Sequence, residues 1–282
     1  MIAFIGTGHL GANFVKALLQ KGEQVQVWNR TFEKAKALEA DGAKAFEQVT
    51  DAVKGAKIIH LTLKDDASVD EILTNASAGF EPGVIIADHT TTSADGAVKR
   101  TAYWKERGFT YQHAPVFMGP QNARESTGYM LVSGNQNVIK TLEPSLKKMT
   151  GTVMNLGEET GKAAGMKLVG NLFLLTLTAG ITDTLSLAKG LGIDSRDVMQ
   201  LFDAWNPAAS MPVRMKRLIA GNFDEPTWEL SMARKDAGLM LDAAAKGNTS
   251  LMVIPQVAKE MDKWIAAGFG SKDWMIVGKD AL

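Results

Sequence analysis

Three glycines, Gly6, Gly8 and Gly11, follow the apolar run Ile2–Ile5 and open an amphipathic stretch. The G-x-G-x-x-G spacing gains chemical meaning from that setting, with a strand before it and a helix after. Gly6 permits a tight turn, Gly8 lets backbone approach a pyrophosphate, and Gly11 lets the helix pack on the strand. The free N–H groups of the helix N-terminus then receive the phosphate charge. His9 and Leu10 lie inside the same turn and are expected contacts of the ligand. Eighteen residues after Gly11 comes the end of the second apolar run, Val27-Trp28-Asn29-Arg30-Thr31. A chain that binds NAD usually places Asp or Glu there to hold the adenosine ribose hydroxyls. Asn29, Arg30 and Thr31 present an amide, a guanidinium and a hydroxyl instead. None of them repels a 2′-phosphate, and arginine forks onto phosphate oxygens. The expected cofactor is therefore NADP(H) in preference to NAD(H). The bland alternative is that Arg30 only caps a surface turn.

A second group sits in the middle of the chain, Gly165-Met166-Lys167-Leu168-Val169-Gly170-Asn171. Lys167 and Asn171 are four apart and share a face if this stretch is helical. Lys167 is also the last charge before fifteen uncharged residues, 168–182. A lysine at the edge of an apolar helix often just carries its ammonium out to water. Beside a co-facial amide, it equally suits an acid/base with an orienting partner. Spacing alone leaves both readings open. The four histidines, His9, His60, His89 and His113, show no metal-ligand spacing, so no metal site is expected. His60 falls inside an apolar run and reads as a core residue.

The elements that must position these groups alternate. Strands are expected at Ile2–Ile5, 24–28, 57–62, 84–87, 110–113, 128–133 and 152–155. Helices are expected at 10–21, 32–40, 67–74 and 93–107. Such βαβα alternation predicts a parallel sheet with helices on both faces. After Gly161 strand-like runs nearly vanish, and thirteen of the fourteen methionines fall from Met118 onward, as suits helical cores. The chain thus reads as an α/β Rossmann-type dinucleotide-binding domain, residues 1–158, followed by an all-α helical domain, residues 159–282. A long helix is expected from about 160 past 185. The residues 168–182 are apolar on every face, which predicts burial from all sides, between the two domains or at a subunit interface.

Composition narrows the function. Lys plus Arg is 31 and Asp plus Glu is 31, so the net charge is zero, unlike a nucleic-acid binder or a polybasic membrane-surface protein. No cysteine occurs, which removes disulfides, thiolate nucleophiles and cysteine-held metals. The two long uncharged stretches fall short of the ~20 apolar residues of a span. A soluble cytoplasmic protein is expected, with a small-molecule substrate and neither nucleic acid nor membrane as partner.

The ordered motifs give the whole chain a resemblance to the β-hydroxyacid dehydrogenase family. That family includes 3-hydroxyisobutyrate dehydrogenase, glyoxylate and succinic semialdehyde reductases, and 6-phosphogluconate dehydrogenase. Gly6–Gly11 resembles its glycine motif. Asp88-His89-Thr90-Thr91-Thr92-Ser93 resembles its Asp-x-Ser-Thr segment near the nicotinamide, and Ala114-Pro115-Val116 the opening of its substrate loop. Gly165-x-Lys167-x-x-x-Asn171 resembles its catalytic helix, and Lys235-Asp236 its later Lys-Asp pair. The resemblance implies hydride transfer between nicotinamide and a small hydroxy acid or aldehyde. It makes Lys167 the general acid/base and Asn171 its partner, with a homodimer or homotetramer as the assembly. Leu63, Thr91 and Lys235 then join the cofactor contacts. Thr91, Phe117, Met118, Gly119, Lys167 and Asn171 face the substrate.

Two departures stand out. Where the family loop reads Ser-Gly-Gly, this chain has Phe117-Met118-Gly119, and the position before Asn171, often Asn or His, is Gly170. Either Gln121, Asn122 and Arg124 replace the lost carboxylate contacts, or the substrate carries no carboxylate there. Imine reductases, which resemble this family, usually replace the lysine by Asp or Tyr, so Lys167 favours carbonyl chemistry. A non-catalytic, cofactor-binding protein on the same fold and a redox enzyme of unrelated mechanism on a Rossmann frame are the remaining alternatives.

Overall fold

The computed structural model describes residues 1–281, which pack as two units, Met1–Leu172 and the residues from Phe173 onward. In the first unit six parallel strands form one sheet. They are β1 (Ile2–Ile5), β2 (Val25–Trp28), β3 (Lys44–Ala45), β4 (Ile58–Leu61), β5 (Ile85–Asp88) and β6 (Thr110–His113). Their spatial order is β3-β2-β1-β4-β5-β6. The crossovers run through α1 (His9–Gln20), α2 (Phe32–Lys36), α3 (Val49–Val53), α4 (Asp66–Ala76) and α5 (Ala94–Glu106). The order reverses between β1 and β4. Ile5 pairs with Trp28 on one side and Leu61 on the other, so the three strands end level. A reversal of this kind leaves a crevice beyond the strands' carboxyl ends, where open α/β sheets bind ligands.

All four residues of β1 and of β2 are buried, as a sheet covered on both faces requires. Phe4, Phe14, Leu18, Met130, Leu142 and Leu146 fill one face, and Ile5, Ile59, Leu61, Leu73 and Ile86 the other. Each such side chain contributes about 1.5–3 kcal/mol on leaving water. A three-stranded sheet, β7 (Val116–Phe117), β8 (Tyr129–Val132) and β9 (Thr152–Asn155), continues this unit. The helices α6 (Pro120–Glu125) and α7 (Gln136–Leu146) join its strands. The expected strands and helices of this half are present within a residue or two at their ends, except that the helix expected over 32–40 is α-helical only over Phe32–Lys36 and continues as a 3-10 helix over Ala37–Asp41. β3, β7, α3, α6 and α7 are additional.

The single helix α8 (Lys162–Gly190) carries the chain from the first unit into the second. There follow α9 (Ser195–Ala204), α10 (Met211–Ala220), α11 (Leu230–Lys246) and α12 (Ile254–Ala266). Beyond β9 the described residues hold only one isolated bridge, Glu229 with Asp273. The core of the second unit is Leu230, Ala233 and Ala237 of α11 against Ala258, Met261 and Trp264 of α12, closed by Met275 and Ile276. Asp183 of α8 accepts N–H bonds from Met252, Val253 and Ile254 at 2.7, 2.8 and 3.2 Å, which ties the start of α12 to α8.

The expectation that 168–182 is buried from all sides does not hold within one chain. Leu172, Leu174 and Leu175 are 63%, 53% and 71% exposed, and α9 and α10 bury no residue. Uniform apolarity shows that a helix is to be covered, but not by what. By length and composition α8 is also apolar enough to cross a membrane, which the count of uncharged residues did not suggest.

A buried polar layer crosses the first unit. His60 and His89 stack, and His89 Nδ1–H donates to the Ala114 carbonyl at 2.8 Å. Its Nε2 therefore accepts from His60 Nδ1–H at 2.9 Å. His113 Nε2–H donates to the Thr90 carbonyl at 2.8 Å. Burial, joined at His60 by the neighbouring His89, holds His60 well below the ordinary imidazole value. Burial likewise brings His89 down to about 4 and lowers His113. All three stay neutral when folded, whereas the unfolded chain takes up protons from about pH 6.5 downward. The stability they support is thus complete above about pH 6.5 and drains away as the pH falls toward 4. The carboxylates with depressed values, Asp66, Asp183 and Asp273, lose their contribution only below the ordinary 3.8. The melting temperature should therefore decline already between pH 6.5 and 4.5. A flat profile across that window would show that these imidazoles are charged in the fold.

Candidate active site

The strand ends build the site. Gly6 has φ +88°, and a Cβ there would lie 2.2 Å from the Thr62 carbonyl oxygen. A Cβ at Gly11 would lie 2.0 Å from the Gly6 carbonyl oxygen. Both positions exclude any side chain, so β1 and α1 meet through bare backbone, braced by Thr62 Oγ1 donating to the Gly6 carbonyl at 2.8 Å. Gly8 differs. Nothing lies within 4 Å of a Cβ built on it. It is exposed and leads straight into the first turn of α1. Open space before a helix N-terminus is a setting that suits an anionic group such as a phosphate.

Two cavities meet here and share Gly8, Thr62, Leu63 and Lys64. One, of about 540 Å³, runs past Asn29, Arg30, Thr31 and Lys34. The other, of about 360 Å³, runs past His9, Leu10, Gly11, Thr91, Met118 and Lys167. Together they form a trough along the carboxyl edge of the sheet. Leu63 lines both parts, with its N–H held by Thr90 Oγ1 at 2.9 Å. A larger cavity of about 580 Å³ lies between α4 and α5, away from the strand ends. Its Arg100 is already paired with Asp66 at 2.7 Å and Asp70 at 3.3 Å.

In the first part Asn29 is engaged within the chain. Its Oδ1 accepts from the Thr7 N–H at 3.1 Å and its Nδ2 donates to the Thr31 carbonyl at 3.0 Å. It fastens the glycine turn to the end of β2. Arg30, Thr31 and Lys34 remain exposed in the trough. Lys34 was not anticipated, although it stands four residues after Arg30, a spacing that could have drawn attention to it. The carboxylates Asp65 and Glu71 line the same part, with Asp65 engaged as the N-cap of α4 through Ser68.

In the other part Asp88 is fully buried, accepting from Tyr111 Oη at 2.6 Å and the Thr90 N–H at 2.8 Å. It holds the turn that presents Thr91. Lys167 and Asn171 do share a face of α8, with Lys167 Nζ donating to Asn171 Oδ1 at 2.8 Å. The ammonium also lies 4.4 Å from the centroid of the Phe117 ring. Half-burial lowers its pKa from the ordinary 10.5, with desolvation as the cause. Gly119 sits differently from a substrate contact: its N–H is spent on Asn122 Oδ1 at 2.9 Å. Asn122 Nδ2 donates to Thr127 Oγ1 at 3.1 Å, and Gln121 Nε2 to Glu125 Oε1 at 2.9 Å. One N–H of each amide is thus spent within the loop. Lys235 belongs to the second unit, on α11, where it pairs with Asp236 at 2.9 Å.

Residues 1–157 match the family model described as the NAD binding domain of 6-phosphogluconate dehydrogenase. The chain is 25% identical over 283 residues to 2-(hydroxymethyl)glutarate dehydrogenase of Eubacterium barkeri, covering 99% of this chain and 93% of that protein. It is 26% identical over 257 residues to a probable 3-hydroxyisobutyrate dehydrogenase of Mycobacterium bovis, covering 88% and 87%. Among solved structures, the imine reductase from Myxococcus stipitatus in complex with NADP+ superposes with a TM-score of 0.93 at 21% identity, over 100% of both chains. At that identity the likeness is one of fold.

Proposed function

This chain belongs to the β-hydroxyacid dehydrogenase family and is an NAD(P)-binding oxidoreductase; from that premise we infer that it reduces a small carbonyl compound with NADPH, using Lys167 as general acid. The observation that carries the reading is the Lys167–Asn171 bond opening onto the trough that begins at Gly8. Gly8 and the first turn of α1 would hold the pyrophosphate, and Arg30, Thr31 and Lys34 the 2′-phosphate. When bound, the cofactor supplies the hydride. Lys167 places its ammonium against the carbonyl oxygen and gives that oxygen a proton as negative charge develops. In the reverse direction the neutral amine takes the hydroxyl proton. Asn171 fixes where the ammonium stands, because its Oδ1 already occupies one of the three N–H directions.

A reduction of C=N groups is the second reading, favoured by the apolar Phe117 and Met118 beside Lys167. The assay panel therefore includes a cyclic imine alongside aldehydes, keto acids and hydroxy acids. Lys167→Ala should lower kcat for the best carbonyl substrate by about 10²–10⁴-fold and leave NADPH affinity nearly unchanged. Reduction needs the ammonium, so the wild-type rate should fall as pH rises through the depressed Lys167 pKa, and oxidation should gain over the same limb. A variant retaining more than about a tenth of the activity rules out Lys167 as proton donor, since a general acid is worth more than that.

Cofactor choice is tested separately. Removing the Arg30 guanidinium should weaken NADPH by about 10–100-fold, the scale of charge-assisted hydrogen bonds, and spare NADH. Equal dissociation constants of the two cofactors in the wild type would refute the preference.

The same proposal includes assembly of the chain with a copy of itself through α8, α9 and α10. Val169, Leu175, Val213 and Ile219 are 59–71% exposed, more apolar surface than a lone soluble chain sustains. A bilayer is the poorer cover. Although α8 as a whole is long and apolar enough to cross one, its uncharged middle between Lys167 and Asp183 reaches only about 22 Å along a helix, against a hydrocarbon core of about 30 Å. Light scattering should return at least twice the 30.4 kDa of one chain. A single-chain mass in detergent-free buffer would overturn the assembly.

A further inference from the structure

Gly170 occupies an interior position of α8, where nothing in the backbone asks for glycine. Its φ is not in the left-handed region, and alanine is ordinarily the better residue inside a helix. At Gly165 and Gly180 of the same helix an added Cβ would meet nothing within 4 Å. At Gly170 it would lie 2.3 Å from Cζ and 2.6 Å from Cε1 of Phe117. The ring therefore rests on the bare helix backbone, one turn beyond Lys167 and next to Asn171. From there its face meets the Lys167 ammonium at 4.4 Å from ring centroid to Nζ. The next residue, Met118, extends the same apolar surface into the cavity that Lys167 lines. The two departures from the family pattern, at 117 and at 170, are thus one feature. A large side chain stands where the family pattern has a small one, and the position facing it carries no side chain.

We propose that Phe117, seated on Gly170 and backing the trough-lining Lys167 and Met118, forms with Met118 the specificity wall of the site, selecting an uncharged aldehyde or ketone and rejecting a substrate with a carboxylate beside the reacting carbon. The proposal rests on the oxidoreductase reading above. A carboxylate beside the reacting carbon would lose water against the Met118 thioether and the ring edge. The cation beside the ring, Lys167, is already held by Asn171 and the ring face and would be turned to the reacting oxygen, so the charge would be poorly compensated. The neighbouring polar groups do not compensate. The Gly119 N–H and one N–H of each of the Gln121 and Asn122 amides are already paired, and Gln121, Asn122 and Arg124 line neither part of the trough. The ring face meanwhile holds the ammonium by a cation–π contact, so Lys167 stays placed without an anionic partner.

The test is a double-mutant cycle over Gly170→Ala and Phe117→Ser, with NADPH and two aldehydes of equal chain length, butanal and succinic semialdehyde. Melting temperature is read in parallel on the same four proteins. The wild type should have the higher kcat/KM for butanal. Gly170→Ala alone should push the ring off its seat, lower the melting temperature, and cut butanal turnover by about tenfold or more, as coupled contacts do. Adding Phe117→Ser should restore the melting temperature and shift the preference toward succinic semialdehyde by at least about tenfold. Independent effects of the two substitutions on both readouts, or a wild-type preference for succinic semialdehyde, would overturn the proposal. If none of the four proteins reduces either aldehyde, the oxidoreductase reading fails and the wall falls with it as a specificity device. Coupled melting would then still mark the ring–glycine contact, so the two failures are told apart.

Discussion

β1 can pass into α1 only because Gly6 and Gly11 have no side chains. Thr62 and the Gly6 carbonyl stand about 2 Å from where those Cβ atoms would be. That crowding brings three backbone segments together at the carboxyl ends of β1 and β4. Everything the site needs is hung from the junction. Thr62 braces it, Asn29 ties it to the end of β2, and Leu63 ties it through Thr90 to the end of β5. The trough is what remains where these three strand ends diverge.

The buried polar groups behind the trough keep the strand ends rigid. Asp88, Tyr111 and Arg100 form a chain that reaches Asp66 and, through it, the start of α5 at Ser93. Burial alone would make such a chain expensive, but each member has partners, and satisfied buried networks specify one arrangement. The Asp88 carboxylate is therefore best understood as the anchor of the Thr90–Thr91 turn, not as a group facing ligand. The His89 contact to the Ala114 carbonyl does the same for the strand that leads to Phe117.

Much of this was legible from residue types alone. The glycine spacing, the four-residue step from Lys167 to Asn171 and the alternation of strands and helices are local periodicities, and local periodicity survives in a linear sequence. Short elements did not announce themselves. β3 and β7 have two residues each, and α7 carries Pro144. The engagement of Asn29 and Gly119 was equally hidden, because a side chain's type does not reveal whether a neighbour has already claimed its hydrogen bonds. Phe117 and Gly170 are separated by more than fifty residues, so their contact had to be seen. The apolar middle of α8 announced that it would be covered, and only the structure shows that its own chain does not supply the cover.

The choice of an aromatic ring beside Lys167 has a consequence for the proton. A carboxylate in that place would stabilise the ammonium, raise its pKa and make the proton slow to leave at neutral pH. A purely aliphatic wall would desolvate the ammonium with nothing in return. A ring face lies between these limits. Its quadrupole returns about 0.5–2 kcal/mol to the cation, which at 1.36 kcal/mol per unit is roughly one pKa unit of compensation. The pKa of Lys167 is lowered, with burial as its cause and no charged partner contributing. Under the proposed mechanism that balance would let the lysine both polarise a carbonyl and release its proton, with no anion beside it to repel an electron-rich oxygen.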